Sequence, residues 1–452
     1  MNIQFLGATQ TVTGSKYLLK TTNETILIDC GLFQGFKELR LRNWNPLPIN
    51  PADISTVLLT HAHIDHSGYI PLLVKNGFRG KIFCSEATLD LCEILLPDSG
   101  HLHEEEARFV NKKKYSKHHP ALALYTQEEA ETSLQYFESI PFEKPFHLND
   151  DLTAQFFYAG HILGASFIRV QHNQTSILFS GDLGRHQGPI MYPPQKPPQS
   201  DYYVIESTYG DRLHESTDPQ EQLKHIINKT ANRGGVIVIP SFAVGRAQTL
   251  LYYIHQIRSN NEIPDIPVYI DSPMATDATK LFYHHSTEHR LSKKESQAVC
   301  QSARYVHTPA ESKALDDKKV PMIIISASGM ATGGRVLHHI RRFAPDHRNS
   351  IVFAGFQASG TRGDRMIRRE KEIKMFGLMV PIRAEIFQLE NISAHIDSEE
   401  MLAWLSQIKK TPKTVFITHG DKNASQALKQ KIEQRFKWQC QIPSYKEVHD
   451  LK

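Results

Sequence analysis

The sequence predicts an α/β protein with a Rossmann-like section set inside it. Three observations carry that expectation. A chain of 452 residues exceeds one ordinary hydrophobic core, so it implies two domains or one domain with a large insertion. Residues 1 to about 205 are dense in short, apolar, β-type runs. Residues 207 to about 380 instead alternate strand-like with helix-like patterns, and βαβ alternation marks a parallel sheet. The expected divisions are 1–206, 207–382 and 383–452.

In chain order, the first section offers strands at 25–28, 56–59, 81–84, 154–158, 176–179 and 202–205. The stretch 188–199 contains PPQKPP and reads as a loop, because prolines at that density stop helix and ladder alike. The lysine triplet 112–114 reads as surface. In the second section, strands at 236–239, 268–270 and 322–325 precede helices near 246–257, 275–283 and 335–343, with a polar break at 316–319. The last section returns to a strand at 414–417. A closing helix at 424–436 follows, with Ala427, Leu428, Ile432 and Phe436 on one stripe.

Composition narrows the function. With 40% hydrophobic and 22% charged residues the chain builds cores and is not disordered overall. No apolar run approaches the ~20 residues of a membrane span, and the start shows no signal peptide. A net charge of +4 excludes a polybasic wrapper of nucleic acid but leaves room for a local basic groove. Five cysteines without a CxxC pair fit a reducing cytoplasm and exclude a disulfide scaffold. Against them stand 24 histidines, as expected of an imidazole-and-carboxylate metal site.

The sharpest motif is His61-Ala62-His63-Ile64-Asp65-His66, directly after the apolar run Val57-Leu58-Leu59-Thr60. Extended chain leaving a strand puts 61 and 63 on one side, and a turn into a helix over 67–74 aims Asp65 and His66 elsewhere. One peptide thus offers two imidazoles to one metal and a carboxylate plus imidazole to a second. Such donors without thiolate suit zinc best, with manganese or iron as alternatives. Asp29, His161, Asp182, Glu206 and His419 each cap an apolar run in the same way. Singly, each is ordinary turn chemistry. Beside the 61–66 cluster, they read as ends of strands that converge at one rim.

These motifs resemble the metallo-β-lactamase-fold hydrolases: HAHIDH, GHILGA, SGDLG and the upstream LIDCGLFQG. IEST, PSFAVGRAQ, DSPMA, SGMATGGR, FQASGTRG, SAHID and THGD narrow the resemblance to the β-CASP nucleases, over essentially the whole chain. That family includes the endonuclease of mRNA 3′-end processing, archaeal relatives and RNase J. The resemblance implies an αββα sandwich built from both chain ends, with the second section as the β-CASP insertion. It implies two zinc ions per chain. His61, His63 and His161 would hold one, Asp65, His66 and His419 the other, and Asp182 would bridge. Asp29 would orient a ligand histidine, while Glu206 and His395 match the added acidic and histidine motifs.

The chemistry agrees. A water shared by two cations loses a proton near neutral pH, and the cations offset charge on phosphoryl oxygens. His395, held by Glu206, is the candidate proton donor to the leaving alkoxide. Loops rich in Gly, Ser and Thr in the second section suit phosphate, which nominates Ser328 and Gly329, with Ser393, Arg246 and Arg335 as further RNA contacts. None matches a nucleotide-cofactor motif. The expected activity is hydrolysis of single-stranded RNA, endonucleolytic with 5′-3′ exonuclease action left open. The rivals are a DNA-directed nuclease, a small-molecule hydrolase such as a thioesterase, and a silent RNA-binding scaffold. The insertion disfavours the small-molecule rival, His419 the DNA-repair branch, and the intact ligand set the scaffold. The first strand starts near residue 1 and few residues follow His419. That argues against the KH extension of archaeal relatives and the C-terminal domain of RNase J. A homodimer is allowed but not required.

Overall fold

The computed structural model describes residues 1–113, 120–215, 217–355, 357 and 360–452, with the backbone alone at Lys113. Phe356, Ala358 and Ser359 of FQASGTRG, and Lys114 of the lysine triplet, lie outside the described residues; Lys112 is exposed. The chain divides into two compact units, residues 1–213 with 395–452, and residues 214–394.

The first unit holds two seven-stranded sheets. Leu152–Tyr158 shows why they pack: every second side chain is buried, as in a strand with one face on a core. The other face of that core comes from the opposite sheet, where Ile3, Phe5, Leu19 and Ile28 meet Phe156, Ile168, Phe179 and Phe416. Helices cover the outer faces, and Trp404 of Ser398–Leu405 packs edge-on against Phe167, with ring centroids 5.5 Å apart. The αββα sandwich is therefore the observed architecture.

Chain direction positions the site. In the first sheet Thr25–Ile28, Thr56–Leu58 and Lys81–Cys84 run parallel. In the second, Thr175–Phe179, Tyr202–Ile205 and Thr414–Ile417 do the same. Parallel neighbours finish on one side, so the loops after them share a rim. Those loops carry Asp29, residues 59–66, Asp182, Glu206 and His419. The 28-residue helix Glu86–Lys113, with Pro97 inside it, is not signalled by the sequence pattern.

The second unit is a six-stranded sheet in the order Arg304–Tyr305, Val268–Asp271, Met322–Ser326, Val236–Pro240, Ser350–Ala354, Glu385–Leu389. All its pairings are parallel, as βαβ alternation requires. Several of its helices start with side-chain caps: Asp218, Ser272, Ser292 and Thr308 each accept a backbone N–H of the first turn. Two expected boundaries move. Glu385–Leu389 pairs with Ser350–Ala354, so this unit runs past 382 to Ala394. At the other end Ser207 stays with the first unit, because its hydroxyl donates to the Thr418 carbonyl at 2.7 Å. Among the described residues, no helix is long and apolar enough to cross a membrane.

Candidate metal centre

The rim of the first unit gathers the residues singled out from sequence. His61, His63, His161 and Asp182 each present a ligand atom, all within 4.8 Å of one another, and so do Asp65, His66 and His419. Asp182 stands between the groups. Its Oδ2 is 3.5 Å from His61 Nε2 and 3.6 Å from His161 Nε2. Its Oδ1 is 3.3 Å from His66 Nε2 and 3.5 Å from His419 Nδ1.

The local backbone explains how six neighbouring residues face two ways. His63 is the last extended residue before the short helix Ile64–Ser67, which brings Asp65 and His66 to His419, while the His66 ring still packs 4.1 Å from that of His61. The expected continuous helix over 67–74 is instead two short ones, with Ile70–Lys75 following. The Asp65 carbonyl accepts from Ser15 N–H at 2.8 Å, and the His66 carbonyl from Cys30 N–H at 2.7 Å, so two other loops clamp the turn.

Orientation comes from behind. Asp29 accepts from Thr60 N–H at 2.8 Å and Thr60 Oγ1 at 3.0 Å, and its Oδ2 lies 2.7 Å from His66 Nδ1. This fixes the proton on Nδ1 and leaves Nε2 facing the site. Thr60 Oγ1 is also 3.1 Å from His61 Nδ1, and Thr208 Oγ1 is 3.3 Å from His419 Nδ1. Sequence reading missed both threonines. Their only signal is position, Thr60 directly before His61 and Thr208 two residues after Glu206.

Electrostatics separate the histidines. Burial pushes His61, His63 and His161 below the ordinary imidazole range, His63 to about 4, so they sit neutral with lone pairs available. For His66, burial acts the same way, but the carboxylates of Asp182 and Asp29 outweigh it and hold the ring well above its usual value. Ring nitrogens face one another at close range: His66 Nε2 to His419 Nε2 at 3.0 Å, His61 Nε2 to His63 Nδ1 at 3.2 Å, His161 Nε2 to His63 Nδ1 at 3.3 Å. The buried Nδ1 of His161 and Oδ1 of Asp182 make no acceptable hydrogen bond. Close-set ring nitrogens beside orphaned polar atoms are a donor set that a cation satisfies.

His395 adjoins this set. Its Nδ1 lies 3.1 Å from Glu206 Oε2, and its ring packs 4.5 Å from that of His161 and 6.2 Å from that of Tyr209. Glu206 Oε1 accepts Leu183 N–H at 2.6 Å, so both carboxylate oxygens have partners. Burial opposes charge on His395, but Glu206 and then Asp182 raise its pKa above the ordinary value. Its side chain is 20% exposed, against 2% for Asp182, so it is the more accessible of the two.

The nominated RNA contacts belong to the second unit. Arg335 donates to Asp271 Oδ1 at 2.7 Å and to the carbonyl of His307 at 2.9 Å. Arg246 donates to the Ala354 carbonyl. Ser328 Oγ pairs with Thr332 Oγ1 at 2.9 Å, and the Gly329 carbonyl accepts from Gln357. Ser393 is buried two residues before His395. The two arginines are thus engaged within their own unit, which sequence could not show.

Comparison with known proteins places the chain in a family. Family models match at residues 11–87 (metallo-beta-lactamase superfamily), 247–366 (Beta-Casp domain) and 379–443 (Zn-dependent metallo-hydrolase RNA specificity domain). Ribonuclease TTHA0252 of Thermus thermophilus is 34% identical, over 95% of each chain. The chain belongs to the β-CASP branch of the metallo-β-lactamase superfamily. It is therefore a metal-dependent hydrolase. Other β-CASP relatives include an RNase J-like protein of Methanocaldococcus jannaschii, 28% identical over 94% of this chain and 93% of its own. Transcription termination factor FttA of the same organism is 27% identical over 98% of this chain and 70% of its own. A crystal structure from Enterococcus faecalis V583 shares the fold at a TM-score of 0.57 and 12% identity, over 99% of both chains.

Proposed function

We propose that this β-CASP hydrolase is a zinc-dependent ribonuclease, cutting phosphodiester bonds of single-stranded RNA at a centre of two metal ions. One observation carries the reading: Asp182 turns one oxygen to each of two ligand groups, as a bridging carboxylate does. His61, His63 and His161 would hold one ion, and Asp65, His66 and His419 the other. Seven ligands exceed one tetrahedral ion, and nitrogen and oxygen donors without thiolate favour zinc. When bound, the pair supplies Lewis acidity, which acidifies water at the site and offsets charge on phosphoryl oxygens.

The chain supplies the proton. Glu206 holds Nδ1 of His395 and favours the charged imidazole, which leaves Nε2 to protonate the departing alkoxide. RNA is favoured by the matched RNA specificity domain and by relatives named as ribonucleases. A single strand is favoured because the site is recessed and a chain of net charge +4 captures duplexes weakly.

Cleavage of one RNA labelled at either end, and of the same RNA circularised, tests the activity and separates endonuclease from 5′-3′ exonuclease. His395→Ala should lose about 10²–10⁴-fold in turnover on RNA, the usual share of a general acid. On bis(p-nitrophenyl) phosphate, whose leaving group needs no proton, the defect should shrink markedly while zinc content stays at the parent level. An equal defect on both substrates, or lost zinc, would make His395 a ligand or positioning residue instead.

A further inference from the structure

The second unit carries a charge concentration that the metal centre does not use. From Arg335 to Arg383 there are eleven Lys and Arg against four Asp and Glu, a net of +7, although the whole chain nets only +4. Partners neutralise part of it: Arg335 pairs with Asp271, Arg365 with Glu370, Arg368 with Asp364 and Arg348 with Asp346. Arg341, Arg369, Lys371 and Lys374 are exposed, with no carboxylate partner among the described residues.

Within this stretch lies a hairpin, Glu372–Met375 paired with Leu378–Pro381. Ile373, Met375 and Val380 pack into the core of the unit, so the hairpin is anchored. Its turn is Phe376-Gly377, with φ of 50° and 83°. A two-residue turn with both φ positive prefers Asn or Asp before Gly, and a bulky side chain there is strained. Phe376 nevertheless occupies it with 44% of its surface exposed. Its ring stacks at 4.5 Å on His338, whose helix Val336–Phe343 presents Arg341 one turn further on the same face. Lys374 faces outward across from Met379.

We propose that this hairpin tip is an accessory binding site for single-stranded RNA, outside the metal centre. Phe376 stacks on a base while Lys374, Arg369 and Arg341 contact flanking phosphates. An aromatic platform among unpaired cations is the chemistry that grips a single strand without reading sequence. Charge complementarity selects a polyanion over a second copy of this chain. The inference rests on the reading that the substrate is RNA.

Phe376→Asn is the decisive variant, because Asn suits positive φ and removes only the ring. In a full-length, zinc-loaded His395→Ala background, the Kd for an unstructured 25-nucleotide RNA should rise about 5–50-fold, the loss of one stacked base. Lys374→Gln should lower the slope of log affinity against log salt by about 0.7, one phosphate contact on a single strand. In the otherwise native enzyme, Phe376→Asn should leave bis(p-nitrophenyl) phosphate hydrolysis unchanged and Tm equal or higher. Unchanged RNA affinity in both variants overturns the proposal, as does a lowered Tm with unchanged affinity, which makes the tip structural. Self-association of the parent that Phe376→Asn abolishes, with RNA affinity intact, assigns the patch to a second copy and equally overturns it. A parent enzyme that neither binds nor cleaves RNA defeats the functional reading itself, a result distinct from a parent that cleaves RNA while the tip variants bind it normally.

Discussion

Each unit buries a cluster of histidine and carboxylate, and the two clusters differ in one respect. In the second unit, Asp271 Oδ1 takes Arg335, while its Oδ2 takes Ser312 at 2.5 Å and His339 Nε2 at 2.6 Å. The other ring nitrogen of His339 lies 2.7 Å from Asp316 Oδ1. Every donor there meets an acceptor, so the cluster is complete within the protein. In the first unit, nitrogens face nitrogens at 3.0–3.3 Å and buried polar atoms go unpartnered. The same residue types thus make a structural lock in one place and a binding site in the other. Satisfaction of the polar atoms, not composition, separates them.

The largest way to break the comparison is Asp182→Ala. It removes the one carboxylate shared by both ligand groups, so cleavage should fall below detection. Elemental analysis should find less than one zinc per chain, against two in the parent. Two retained zincs would remove the bridging role.

Next comes pH. Burial opposes charge on His339, but hydrogen bonds to Asp271 and Asp316 raise its pKa from 6.5 to about 9. A raised value means that its contribution to stability is fully present below pH 6.5 and is lost as pH climbs through about 9. The shift corresponds to about 3 kcal/mol. For Asp271, burial works the other way but is outweighed by His339, Ser312 and Arg335, so its pKa is lowered and its contribution fades below about pH 4. Calorimetry should show the second unit's transition falling between pH 6.5 and 9, and flattening over that range in His339→Asn. An unchanged slope in the variant would show that the lock does not titrate.

The smallest effect should come from Asp29→Asn, which keeps shape and loses charge behind His66. Metal affinity should drop about 10–100-fold, as for other carboxylates behind ligand histidines, with the fold intact. Chelator competition measures it, and parent-level affinity would reduce Asp29 to a turn residue.

The grouping of donor residues at the rim was legible in the sequence because its nucleus is local. HAHIDH compresses four donor-type residues into six positions, and the other members of the two groups mark strand ends that any apolar run announces. The inserted sheet was legible through its alternation. What stayed hidden depends on pairing across long separations. Asp271 and Arg335 are 64 residues apart, so nothing local tells a buried ion pair from a free arginine. The strand Glu385–Leu389 reads the same whichever sheet receives it, and only its register with Ser350–Ala354 assigns it. The helix Glu86–Lys113 has charged residues along its length and Pro97 within it, so periodicity and breaker rules both argue against it.

The strand Thr414–Ile417 lies directly against Tyr202–Ile205, and His419 follows it. On the ribosome, the earlier strand is made first, and all of residues 214–394 must emerge before its neighbour exists. Until then the nascent chain exposes an unpaired edge and lacks both His395 and His419. Assembly of the rim is therefore tied to near-complete translation: HAHIDH is present early, but the group of Asp65, His66 and His419 is completed only after residues 214–394 have been made.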